Sequence, residues 1–141
     1  MSNLSKKEII GILKNNNLKA TPQRLAICKS VLSSTDHPSA EQVFESIKDN
    51  HPTISLATVY KTLSLLYEIG LLHELRFNEK HTRYDPKTTL HINIVCPKCM
   101  EISDHESKTL NSHWKEIISD IEGEILGQRL DVYKLCNNCR D

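Results

Sequence analysis

The stretch SLATVYKTLSLLYEIGLLHELRFNEKHTRYD, residues 55–85, decides the fold. Ser55 reads as a helix N-cap, and Val59, Leu63, Leu66 and Ile69 recur at helical spacing until Gly70 supplies a left-handed C-terminal residue. The period then switches to strand alternation: 71–78 has strand character, 78–82 reads as a turn and 83–85 as a returning strand. The helix face left over by the apolar stripe carries Thr58, Lys61, Thr62 and Ser64, which suit a DNA groove and equally suit plain solvent.

Upstream lie three more helix starts. Ser5-x-x-Glu8 is a capping box opening a helix over 5–16, Thr21 with Pro22 opens a second running towards Ser34, and Ser39-x-x-Gln42 opens a third to about Asn50, where His51-Pro52 stops it. Helices followed by a two-stranded hairpin make a winged helix, with the third and fourth helices as the helix-turn-helix and the fourth as recognition helix. Downstream, the polar stretch 86–90 reads as a hinge. Beyond it we expect strands at 91–95 and 101–104, an amphipathic helix at 108–121 with the stripe Leu110, Trp114, Ile117, Ile118 and Ile121, and a strand at 124–135. The expected organisation is α+β: a winged helix-turn-helix over 1–85, the hinge, and a small α/β domain over 91–141. A domain of about 55 residues is small to stand alone, and a metal and dimerisation would both relieve that.

The 141 residues carry 18 basic and 18 acidic side chains, but unevenly: residues 1–84 hold 11 basic and 8 acidic, residues 85–141 hold 7 and 10. A mildly basic first half suits a polyanion, although the asymmetry alone decides nothing. No apolar run is long enough for a membrane helix and the polar start lacks a secretory core, so a cytoplasmic protein with no membrane partner is expected. Four of the five cysteines form two C-x-x-C pairs, Cys96/Cys99 and Cys136/Cys139, each after an expected strand. Thiolates at i and i+3 on a tight turn can reach one tetrahedral ion, and two such turns complete a structural Zn2+ site. A redox dithiol is the alternative, without a thioredoxin-like βαβ unit around either pair. Cys28, at helical spacing with Leu25 and Leu32, reads as a buried core thiol.

Thr21-Pro-Gln-Arg24, His37-Pro38, Ala57-Thr-Val-Tyr-Lys-Thr-Leu63, Gly70-Leu-Leu72, Arg83-Tyr-Asp85, His91 and the two cysteine pairs occur together in one order. With these the chain resembles the ferric uptake regulator family of metal-dependent repressors over nearly its full length, most of all the peroxide-sensing branch. The resemblance implies a homodimer with N-terminal winged helices and a C-terminal α/β dimerisation domain, with one structural Zn2+ per subunit on Cys96, Cys99, Cys136 and Cys139. It further implies a regulatory Fe2+ or Mn2+ at the hinge. The peroxide sensors use three His and two Asp there, and this chain matches His37, Asp85, His91 and Asp104. Asp104, where the family's iron sensors more often have Glu, points to the peroxide branch. The remaining imidazole is missing: the chain has Asn93, whose carbonyl oxygen is a weaker ligand for late first-row ions. Affinity is expected to drop and preference to drift towards Mn2+ unless His105 or a water substitutes. Leu90, Ile92 and Gln128 replace the ligands of an additional family metal site.

The implied mechanism couples the ion to the angle between domains, so that both recognition helices of a dimer meet the half-sites of a palindromic operator in double-stranded DNA, about 34 Å apart. Peroxide-sensing relatives release DNA when bound Fe2+ and H2O2 oxidise a ligand histidine; His37 and His91 are the corresponding oxidation-sensitive residues. Expected DNA contacts are Tyr60 and Lys61, Ser55 and Thr58 near the helix start, and Lys19 and Arg24 on phosphate, a solvated surface being the alternative for the last two. Tyr60 either contacts DNA, as the resemblance supports, or packs beside the stripe. Other readings are an iron-, manganese- or zinc-uptake regulator of the same family, a metal-independent DNA binder with a weakened hinge site, or a thiol oxidoreductase. No nucleophile and base with recognisable context suggest an enzyme, and no small organic substrate is expected.

Overall fold

The computed structural model describes residues 4–78 and 80–140, which divide into two compact units, Met1–Thr88 and Thr89–Asp141. The first unit contains α1 (Lys6–Asn15), α2 (Pro22–Leu32), α3 (Ala40–Ile47) and α4 (Leu56–Glu68), then the antiparallel hairpin β1 (His73–Asn78) and β2 (His81–Asp85). Its helix starts follow the capping chemistry. Ser5 and Ser39 make complete capping boxes with Glu8 and Gln42, Thr21 caps α2 ahead of Pro22, and Ser55 caps α4. α4 ends in a Schellman motif: Gly70 takes φ +80°, its N–H donates to the Tyr67 carbonyl, and the Leu71 N–H donates to Leu66. α1 ends the same way on Asn17, at φ 59°.

The core of this unit gathers Ile9 and Leu13 from α1, Ile27, Cys28 and Val31 from α2, Val43 from α3, Val59, Leu63 and Leu66 from α4, and Tyr84 from the wing. Three expectations need correction here. Thr62 is not on the polar face but is 3% exposed, because it sits three residues after Val59 and four before Leu66, within the apolar stripe. α3 ends at Ile47 with Lys48 as its C-cap, short of Asn50. The turn is tighter than 78–82, since Asn78 pairs directly with His81 and its side-chain oxygen accepts from the Lys80 N–H and faces the His81 ring.

The second unit is a three-stranded sheet, order β4-β3-β5, with α5 (Lys108–Ile117). β3 (Ile92–Val95) is central, antiparallel to β4 (Ile102–His105) and parallel to β5 (Leu130–Tyr133). The expected helix over 108–121 stops at Ile117, with Ile118 as its C-cap, and the strand expected over 124–135 is confined to Leu130–Tyr133. The reason is packing. Among the described residues, Val95, Cys96 and Ile102 are the buried apolar ones in this unit, while Ile117, Ile121, Ile125, Leu126, Val132, Tyr133 and Leu135 are exposed. An amphipathic stripe with nothing to cover it cannot prolong its own helix. Among the described residues no helix is long and apolar enough to cross a membrane.

Candidate functional site

The four expected cysteines converge. The turn after β3 carries Cys96 and Cys99, tightened by the Met100 N–H donating to the Cys96 carbonyl, with Met100 in the left-handed region at φ 63°. The stretch after β5 carries Cys136 and Cys139, where the Cys139 and Arg140 N–H groups donate to the Cys136 carbonyl. Parallel pairing sets these two turns side by side, and the Lys134 N–H donates to the Val95 carbonyl between them. All four sulfurs lie within 4.8 Å of one another, and Cys99 Sγ stands 3.7 Å from Cys136 Sγ. A tetrahedron with Zn–S bonds of about 2.3 Å has an edge of about 3.8 Å, so the spacing fits Zn2+. The electrostatics fit as well. Backbone N–H groups of Cys136 and Cys99 draw the Cys96 thiol down to about 6, while hydrogen bonding to Cys136 and burial push Cys139 up to about 12. The Cys96 thiolate forms readily, whereas Cys139 gives up its proton only to a cation. Cys28 is unrelated: burial pushes its thiol up to about 11, as for an inert core residue.

Of the residues expected around a regulatory ion, His37 and Asp85 belong to the first unit. His37 precedes Pro38 and is left-handed, φ 50°, a conformation that costs a non-glycine residue about 1–2 kcal/mol. Arg83 holds it there: its Nε donates to the His37 carbonyl and its Nη2 to the Asp36 carbonyl at 3.0 Å, while the Tyr84 N–H donates to the Pro38 carbonyl at 2.9 Å. His37 Nε2 thereby lies 3.4 Å from Asp85 Oδ2, both side chains being 2% exposed, and Asp85 Oδ1 accepts from the Lys87 N–H.

His91, Asn93 and Asp104 belong to the second unit. His91 Nδ1 lies 2.7 Å from the Thr89 carbonyl, which can only accept, so Nδ1 carries a proton and Nε2 is the ring nitrogen turned towards Asn93 and Asp104. Nε2 lies 3.1 Å from Asn93 Oδ1 and 3.5 Å from Asp104 Oδ1. Register puts Asn93 opposite Asp104 and Ile92 opposite His105, so His105 projects from the other face of the sheet and is not available to replace the missing imidazole. Residues that the sequence reading does not single out complete the neighbourhood. Asp131, beside Asn93 on β5, accepts from Asn93 Nδ2 at 3.1 Å and is gripped by Arg129. Strand alternation across β3 and β5 is the signal that points to Asp131, and it needs the register to be read.

Of the expected DNA-contacting residues, Ser55, Thr58, Tyr60 and Lys61 lie at the start of α4, and Lys19 and Arg24 lie at the start of α2. Tyr60 is 40% exposed and does not pack inside; its hydroxyl donates to Glu41 of α3 at 2.6 Å. That bond holds the Glu41 carboxyl below its usual range and the Tyr60 phenol above its own. Lys61, Lys19 and Ser55 are exposed, Thr58 hydrogen-bonds the Ser55 hydroxyl at 2.9 Å, and Arg24 Nη1 donates to the Lys19 carbonyl at 2.7 Å.

The sequence model of the Ferric uptake regulator family matches residues 15–133. The chain belongs to that family. A peroxide-responsive repressor PerR of Staphylococcus saprophyticus is 30% identical over 135 residues, covering 96% of this chain and 91% of its own length. Among solved structures, the Helicobacter pylori ferric uptake regulator, described with three functional metal-binding sites, superposes with TM-score 0.81 at 20% identity over 100% of this chain and 98% of that one. The Pseudomonas aeruginosa ferric uptake regulator with manganese gives 0.76 at 25% identity, over 90% and 96%. The α+β fold, a winged helix-turn-helix followed by a small α/β unit, is that of the ferric uptake regulators, and the chain is a metal-responsive regulator of the family.

Proposed function

We propose that this chain is a homodimeric repressor whose affinity for a palindromic operator is set by a regulatory Fe2+ or Mn2+, and that it controls peroxide-stress and metal-homeostasis genes. The observation that carries the reading is the convergence of His91 Nε2, Asn93 Oδ1 and Asp104 Oδ1, atoms of three ligand-bearing side chains, with the imidazole oriented from behind by Thr89. An imidazole nitrogen and two side-chain oxygens gathered in this way suit a divalent cation. The regulatory ion draws its ligands from this set and from His37 with Asp85. Imidazole and carboxylate together match the iron and manganese named for family structures, and the four-cysteine cluster serves the structural Zn2+.

Dimerisation is supported by the apolar side chains exposed on the second unit, from Ile117 to Leu135. In the dimer, α4 of each protomer enters the major groove, with Tyr60 and Lys61 reading bases or phosphate, Ser55 and Thr58 at the helix start, and Arg24 and Lys19 on the backbone. Fe2+ held at the regulatory site would supply the redox chemistry towards H2O2, and His37 and His91 would be the side chains that take up one oxygen atom of the peroxide, the other leaving as water, so that the oxidised imidazole would ligate poorly. An uptake regulator of the same family uses the same fold and ions without that last step.

The test is fluorescence anisotropy of the Zn2+-loaded dimer on its own promoter DNA, with the weakly held metal stripped and then restored as Mn2+ or Fe2+. Tight binding only after restoration is expected, and H2O2 should release the Fe2+ form alone, with one oxygen atom added in the peptides bearing His37 or His91. Metal-independent binding overturns the switch, and release without histidine oxidation overturns the peroxide chemistry.

A further inference from the structure

The Asn93 side chain lies between two carboxylates, Asp104 opposite it on β4 and Asp131 beside it on β5. An amide has one donating end and one accepting end, and Asp131, an acceptor only, must face the donating one. Nδ2 therefore points to Asp131 Oδ1, and Oδ1 points to His91 Nε2. The reversed amide would turn its N–H2 towards His91 and Asp104 but would set its carbonyl against the Asp131 carboxylate. Arg129 keeps Asp131 in place through Nη2 to Oδ2 at 2.6 Å and Nε to Oδ1 at 3.2 Å, and Asn93 itself is 2% exposed, so no solvent path reorients it cheaply.

We propose that Asp131, anchored by Arg129, is a positioning residue that fixes the Asn93 amide with its carbonyl oxygen towards the regulatory ion, making Asn93 an oxygen ligand and the site selective for harder divalent ions. The inference rests on the regulatory-site reading above. It names what replaces the missing imidazole: a neutral oxygen, kept in the binding orientation by a neighbouring carboxylate. Replacing imidazole with a carbonyl oxygen favours Mn2+ relative to nitrogen-preferring Co2+.

The experiment measures Mn2+ and Co2+ affinity of the full-length, Zn2+-loaded chain by electron paramagnetic resonance of free Mn2+ and by Co2+ competition, with circular dichroism and zinc content as folding controls. Asp131→Asn keeps the shape but lets the amide reverse, and should weaken Mn2+ binding about tenfold or more, in line with outer residues of metal sites. The exchanged pair, Asn93→Asp with Asp131→Asn, needs no fixed orientation, since either oxygen of the carboxylate now on β3 ligates while the amide now on β5 donates to the other; Mn2+ affinity should return. A merely structural Asp131 gives no such rescue. Asn93→His should raise Co2+ over Mn2+ preference about tenfold. If the unaltered chain takes up no Mn2+, the regulatory-site reading itself falls. If it binds Mn2+ but Asp131→Asn stays within twofold, the exchanged pair fails to recover, or Asn93→His leaves the ratio unchanged, only the role assigned to Asp131 and Asn93 is overturned.

Discussion

Arg83→Ala tests how His37 is kept ready for an ion. The left-handed backbone at His37 costs about 1–2 kcal/mol, and two bonds from one guanidinium to the carbonyls of Asp36 and His37, at about 1.5–3 kcal/mol each, more than offset it. Removing Arg83 leaves the Tyr84-to-Pro38 backbone bond and the His37–Asp85 contact as ties between this loop and β2. The loop should then favour conformations in which His37 turns from Asp85, by about 1–2 kcal/mol, and apparent affinity falls in proportion to the competent fraction, roughly 5–30-fold. Arg83→Lys, which keeps the charge but not the fork, should fall between. The assay is Mn2+ titration of the Zn2+-loaded protein, alongside thermal unfolding. A variant that loses about 1 kcal/mol of stability yet binds Mn2+ within twofold of the unaltered chain would refute the argument, because the loop would then be stable without being a template.

Other expectations follow from the same geometry. Chelating the zinc should abolish hydrogen-exchange protection in β3 and β5 while leaving α1–α4 protected, since the second unit buries so little of its own apolar surface; full protection of β3 without zinc contradicts this. Cys28 is held protonated, with its pKa raised to about 11, so its contribution is whole below pH 9 and is lost as pH rises towards 11, by about 2–3 kcal/mol. Urea unfolding at pH 8 to 11 should show a steeper decline in the unaltered chain than in Cys28→Ala, and equal slopes dismiss the burial argument. Lys61→Ala should weaken binding to operator and to unrelated DNA alike and reduce the salt slope by about 1 per subunit if it meets phosphate, whereas loss confined to the operator would make Lys61 a base contact.

The first unit is legible because its punctuation is local. Ser5, Thr21, Ser39, Ser55 and Gly70 each act within four residues of their own position, and the structure uses every one of them. In the second unit, expectation and structure part where an element depends on distant partners: the helix stops at Ile117 and the last strand shrinks to four residues, although both sequences have the apolar content to continue. The same distinction divides the candidate sites. Cysteine spacing announces the zinc cluster, whereas Asp131 and Arg83 acquire their roles from register and from a loop that packs on a strand, neither of which a spacing can display. Polarity alone places Thr62 outward, and position on the helix prevails.

Parallel pairing of β3 with β5 also sets an order of manufacture. Asn93 and its partner Asp131 are 38 residues apart, so a chain leaving the ribosome cannot close this sheet, or bring the second cysteine pair to the first, until everything between them has emerged. The winged helix has all of its own contacts long before that. A stalled or clipped product can therefore carry a complete winged helix while lacking both the second cysteine pair and the strand that holds Asn93 in place.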